Sequence, residues 1–215
     1  MNMKLNNNAR KALILSLVLG ALGLAAWLTG LATYVASDAR MIDFTQLWLC
    51  VLAAVVFSFL FGWARYNLAS GAALAVGTAH DLLLTWALTG LIAIVLPQSA
   101  TLPLVLMTGV ACTYVQTLPR LRVARQIYRT TSLRDASVDE MAQQAAVSAP
   151  LAQWVALVIA VLFVVAAVVS GNIRMLASLV PIVIALLVSL YSARAITPFV
   201  WSYVTATRRP ARRRA

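Results

Sequence analysis

Residues 65–92 read RYNLASGAALAVGTAHDLLLTWALTGLI, an apolar run long enough to cross a bilayer that holds a histidine and an aspartate side by side. His80 is the only histidine in the chain, and Asp81 is one of six acidic residues. Thr78, Asp81, Thr85 and Thr89 recur at a spacing that places them on one stripe of a helix. With a span starting near residue 70, a rise of ~1.5 Å per residue brings Asp81 close to mid-membrane. An ionised aspartate there costs roughly 2.5–3.5 kcal/mol, so it must face the bundle or a partner and not lipid. Two readings follow. Asp81 exchanges a proton, tuned by His80 or by the hydroxyl and amide groups around Gln116; or it stays protonated or bonded to Thr78 and Thr85 and ties helices together. Neighbours on a helix point about 100° apart, which predicts different faces for His80 and Asp81 and favours the packing role.

The rest of the chain fits that setting. Of 215 residues, 62% are hydrophobic and 11% charged, and the mean hydropathy is +0.89, leaving too little polar surface for a water-soluble globule. Six apolar segments, 12–35, 45–63, 70–96, 102–118, 151–170 and 175–197, predict an all-α membrane protein with six transmembrane helices in one bundle. No Pro/Gly/Ser-rich linker divides it, so residues 1–215 read as a single transmembrane domain. Short connections imply antiparallel neighbours. All of the 17 lysines and arginines but Arg40 and Arg174 fall on one side, which places both termini in the cytoplasm.

Residues 119–150 form the one longer connection, an amphipathic cytoplasmic loop. PRLRVARQIYR continues the fourth helix with Leu121, Ile127 and Tyr128 on a weak apolar side. Ser137-Val-Asp-Glu140 has the form of a capping box and predicts a short helix over 138–147, leading to the fifth span at Pro150. Arg120, Arg122, Arg125, Arg129 and Arg134, with Arg208, Arg209, Arg212, Arg213 and Arg214 of the basic tail 204–215, make a basic cytoplasmic surface. The loop arginines read as stop-transfer charges or as a contact for a partner; the tail reads as an anchor for anionic lipid headgroups, with other polyanions as the alternative. Nucleic acid is not the expected partner.

Cys50 and Cys112 lack paired spacing and read as small core residues, not as a disulfide or metal site. Gly20, Gly23, Ser178, Ala185, Ser189 and Ser192 suit close helix packing. Pro181 is expected to kink the last helix and Pro198 to end it. HExxH, GxSxG and P-loop patterns are absent, and one histidine with one clearly buried acid assembles no catalytic or metal constellation. The chain reads as a non-enzyme with no cofactor.

Residues 65–92, with an Arg-aromatic turn, a small-residue run and then His80-Asp81, resemble the cytoplasmic turn and third helix of the SecF family of protein-export membrane proteins. YSARAITPF, 191–199, is similar to that family's last-helix pattern, with its proline one place early, and 119–150 sits where the family has its long cytoplasmic loop. The resemblance covers about residues 45–203. It implies a six-helix half of an RND-type assembly in the bacterial cytoplasmic membrane, paired with a SecD-like subunit beside the SecYEG channel. The departures are specific. About nine residues stand where the family has a folded extracytoplasmic domain. Thr117-Leu118-Pro119 replaces an Asn-Asp-Thr motif, and Ser148-Ala149-Pro150 replaces Ser-Arg-Thr. Apolar Leu118 and Ala149 cannot carry protons, so the family's relay is expected to be lost. Other classes stay open: a small proton- or cation-coupled transporter or lipid-handling protein, and a scaffold recruiting a cytoplasmic partner.

Overall fold

The computed structural model describes residues 7–29, 31–32, 44–96, 102–131, 137–147 and 150–207. Among them are seven helices and no strands: α1 (Asn7–Leu28), α2 (Phe44–Arg65), α3 (Leu68–Ile92), α4 (Leu102–Thr130), α5 (Val138–Val147), α6 (Pro150–Val169) and α7 (Ile173–Thr207). Among the described residues, three stretches are long and apolar enough to cross a membrane: Leu47–Arg65, Leu68–Ile92 and Met175–Thr207. They correspond to the expected second, third and sixth spans. Leu13–Leu28 and Trp154–Val169 are apolar but shorter. The all-helical architecture with long apolar helices is that of a chain compatible with a membrane.

Helix α3 is the centre, packed by α1, α2, α4 and α7. Its start is fixed locally. Asn67 has extended backbone angles, and its Oδ1 accepts from the Ser70 N–H at 2.7 Å, satisfying one of the first-turn donors. Tyr66 and Asn67 alone separate α2 from α3, so the two helices form a tight hairpin. They touch at Gly71, where a Cβ would stand 2.7 Å from the Phe59 carbonyl oxygen. Such close approach gives apolar helices dispersion contacts that bulkier residues would block. On the α1 side, a Cβ on Gly23 would overlap the Ala87 carbonyl, whereas Gly20 has nothing near it. Of those two glycines, Gly23 is therefore the packing residue. The Trp27 indole N–H donates to the Trp86 carbonyl at 3.0 Å, and the two rings stack with centroids 5.8 Å apart.

At the other end, α4 continues through Pro119 to Thr130, and α5 folds back on α4 and α7. The helix predicted over 138–147 is α5. Its cap is reciprocal: Glu140 N–H donates to Ser137 Oγ at 3.2 Å, and Ser137 N–H to Glu140 Oε2 at 2.7 Å. The Ser137 N–H, then its hydroxyl, hold the Glu140 carboxyl below the ordinary carboxylate range. Val138, Met141, Ala142, Ala145 and Ala146 turn inward, and with Leu121, Ala124 and Trp201 close this end of the core.

Two expectations are corrected here. Pro198 lies inside α7 and does not end it. A proline interior to a helix costs about 3 kcal/mol, and burial of the next turn, with Trp201 1% exposed against α3, α4 and α5 residues, offsets that cost. Cys50 is exposed on the outer side of α2, so of the two free cysteines only Cys112 is a core residue. A small apolar side chain suits a lipid-facing surface as well as a core, so its type did not decide its face.

Candidate functional site

The polar residues of α3 meet hydroxyl groups carried by three neighbouring helices. Asp81 is fully buried. Its Oδ1 stands 3.0 Å from His80 Nδ1, and its Oδ2 accepts from Thr113 Oγ1 of α4 at 2.7 Å. His80 Nε2 stands 2.9 Å from Ser16 Oγ of α1. Thr78 Oγ1 donates to Ser58 Oγ of α2 at 3.0 Å, and the Tyr114 hydroxyl reaches the same oxygen at 3.0 Å. A chain Ser16–His80–Asp81–Thr113 therefore links α1, α3 and α4 through their interior, with the Thr78–Ser58–Tyr114 group beside it.

The expected separation of His80 and Asp81 does not hold. The 100° offset describes where two Cβ atoms leave the helix; both side chains are long enough to swing into the wedge between those directions and meet. Nor does Asp81 take its bonds from Thr78 and Thr85 as the packing reading supposed. Thr78 is committed to Ser58, and Thr85 Oγ1 is buried without a hydrogen-bond partner. The donor to Asp81 comes from another helix, 32 residues away.

Gln116 belongs to a second polar cluster toward α5. Arg120 Nη1 donates to the Gln116 carbonyl and, at 3.3 Å, to Gln116 Oε1, while Arg120 Nε donates to the Ala146 carbonyl at 3.3 Å. Arg120 thus serves the last turn of α5, where carbonyls lack intrahelical partners and a cation is favoured. With 2% exposure it is no part of a basic contact surface, which corrects that assignment. The fold of α5 over α4 removes it from solvent. Arg122 and Arg129 are exposed, and Arg125 Nη1 reaches the Arg65 carbonyl at 3.5 Å. That contact brings the α2–α3 turn and the extension of α4 to one end of the molecule. Arg134 and the arginines at 208, 209 and 212–214 lie outside the described residues.

Sequence reasoning missed Ser16 and Ser58 as site members and gave Thr113 no role. A signal existed for the two serines: Ser16 is the only polar side chain between Ala12 and Leu28, and Ser58 the only hydroxyl between Leu47 and Gly62. A lone hydroxyl in such a run marks a face turned toward protein. Comparison with known proteins adds nothing to this picture: no family model, no curated protein and no solved structure matches the chain.

Proposed function

We propose that the chain is a SecF-like, non-enzymatic accessory subunit of a preprotein-translocation complex in a bacterial cytoplasmic membrane, working with a SecD-like partner and a SecYEG channel. One observation carries the reading. The two stretches on which the resemblance rests, GTAHDLL of α3 and YSARAITPF of α7, lie against each other: a Cβ on Gly77 would stand 3.1 Å from Thr197 Oγ1 and 3.8 Å from Ser192 Oγ. Segments about 115 residues apart in the chain that resemble one family also form one helix–helix contact, as a shared functional core requires.

The same reading takes six spans with cytoplasmic termini. It draws support from the basic residues collected near Arg65 and Arg125 and from the apolar outer surfaces of α1, α2 and α6. Leu118 and Ala149 stand where the family carries charge, so the protein contributes helix contacts to the assembly and not the family's own proton relay. Anionic headgroups are the ligands suited to its exposed arginines. Purification in mild detergent tests the proposal. A SecD-like subunit and channel components should co-purify in fixed ratio, and recovery of the chain alone or as a homo-oligomer would reject it.

A further inference from the structure

We propose that the groove between α1 and α7 binds one anionic glycerophospholipid, its acyl chain in the groove and its phosphate between Lys11 and Arg194. The proposal requires a bilayer around the chain and does not rest on the SecF-like reading. The groove has a volume of about 160 Å³. Its floor is Leu84 of α3 and Val188 of α7, both buried, and its rims are the half-exposed Leu15 of α1 and Leu187 of α7. An engineered apolar cavity of ~150 Å³ takes a benzene ring, so this groove takes an alkyl stretch of roughly six carbons and not a helix ~10–12 Å across. Leu187 is also a wall of a second apolar groove, of about 190 Å³, between α6 and α7, which gives the rest of an acyl chain a place to run.

The directions of the helices put both cations at one end of this groove. Helix α1 runs parallel to α3, since Ser16 meets His80 and Gly23 meets Ala87. Helix α7 runs antiparallel to α3, since Thr197 meets Gly77 while Leu187 and Val188 share the groove with Leu84. Lys11, one turn before Leu15, and Arg194, one turn after Tyr191, therefore stand at the same end, and both are exposed. The polar members of the groove, Ser16 and Tyr191, lie at that end too, level with the glycerol and ester groups of a lipid whose phosphate sits at the cations. Arg120 lies within electrostatic range of Arg194 and adds to the positive potential there. The described carboxylates are bonded elsewhere: Asp81 to Thr113, Asp139 to Gln143 and Glu140 to Ser137. Cations above an apolar groove complement an anionic amphiphile. Free phosphate would leave the groove unfilled, and a zwitterionic lipid would bring its own cation to the same place.

Photo-crosslinking tests the site on the full chain alone, apart from any co-purification of translocation subunits. The protein is held in phosphatidylcholine nanodiscs with a trace of phosphatidylglycerol carrying a diazirine in its acyl chain. Mass spectrometry after irradiation should find label concentrated at Leu15, Leu84, Leu88 and Leu187, in excess over the outward Val158, Leu162 and Val165 of α6. Unlabelled phosphatidylglycerol should displace it, and the same amount of phosphatidylcholine or inorganic phosphate should not. Lys11→Gln and Arg194→Gln, both changes of exposed side chains, should each weaken binding about fivefold, the effect of one cation near an anionic headgroup. Leu187→Trp fills the groove without changing charge and should lower its labelling while sparing α6. Equal labelling of groove and α6, equal displacement by phosphatidylcholine, or labelling unchanged in the Lys11→Gln, Arg194→Gln double variant would overturn the proposal. Displacement by inorganic phosphate would reject the lipid in favour of a free anion. A groove without label in a chain that runs as a dimer would reject it in favour of a second copy.

Discussion

Helices α3 and α6 relate polarity to burial in opposite ways. Helix α3 carries Ser70, Thr78, His80, Asp81, Thr85 and Thr89 and is the most enclosed element, with both flanks covered. Helix α6 has one polar side chain, Gln153, and packs only through a thin stripe that includes Ala156, Ala160 and Ala167, leaving Val158, Leu162, Val165 and Val169 outward. In a water-soluble protein the more apolar helix would be the inner one. The inverted order is compatible with a membrane, where lipid is as good a solvent for valine and leucine as a protein interior and apolar surface gains nothing by turning inward. Polar side chains, which have no partner in hydrocarbon, go to the centre.

That contrast can be broken most severely at the small residues around α3. Gly23→Ala forces α1 off the Ala87 backbone and should cost about 1–3 kcal/mol or more, measured by unfolding in mixed micelles. Gly20→Ala, with open space at its Cβ, should instead be neutral or gain up to about 1 kcal/mol in helix propensity. The same stability in both would mean that α1 does not sit against α3 as described. Next in size is Thr85→Val. It replaces an unpartnered buried hydroxyl by a methyl and should stabilise by about 1 kcal/mol in the same assay; a loss would reveal a partner for that hydroxyl. Smallest is Val165→Leu on the outer side of α6, where we expect a change under about 0.5 kcal/mol. A large effect there would place a protein surface against α6.

What could be read in the sequence was local. The Ser137–Glu140 cap lies within four residues and specified where α5 begins. The apolar runs located α2, α3 and α7 because length and composition suffice for that. Two errors arose where a distant contact overrode a local rule. Pro198 would end an isolated helix, but Trp201 binds the next turn to α3, α4 and α5 residues. Arg120 belongs to a basic run that reads as solvated, and only α5, some twenty-six residues later, covers it. For the candidate site, Asp81 was legible from its cost in an apolar helix. Its partners were not, since Thr113 and Ser16 reach it and His80 from 32 and 64 residues away. A resemblance that centres on His80 and Asp81 also leaves Ser16 outside its range.

The distance from Asp81 to Thr113 bears on how the chain is made. Synthesis runs from the N-terminus, so Ser16 and Ser58 are already in place when α3 emerges, and His80 and Thr78 can take up their bonds at once. Thr113 is still to come. For the time needed to translate about thirty residues, Asp81 holds one oxygen on His80 while the other lacks its donor. Contacts from α1 and α2 are thus available to α3 before α4 exists, and the Asp81–Thr113 bond is the last along Ser16–His80–Asp81–Thr113 that can form.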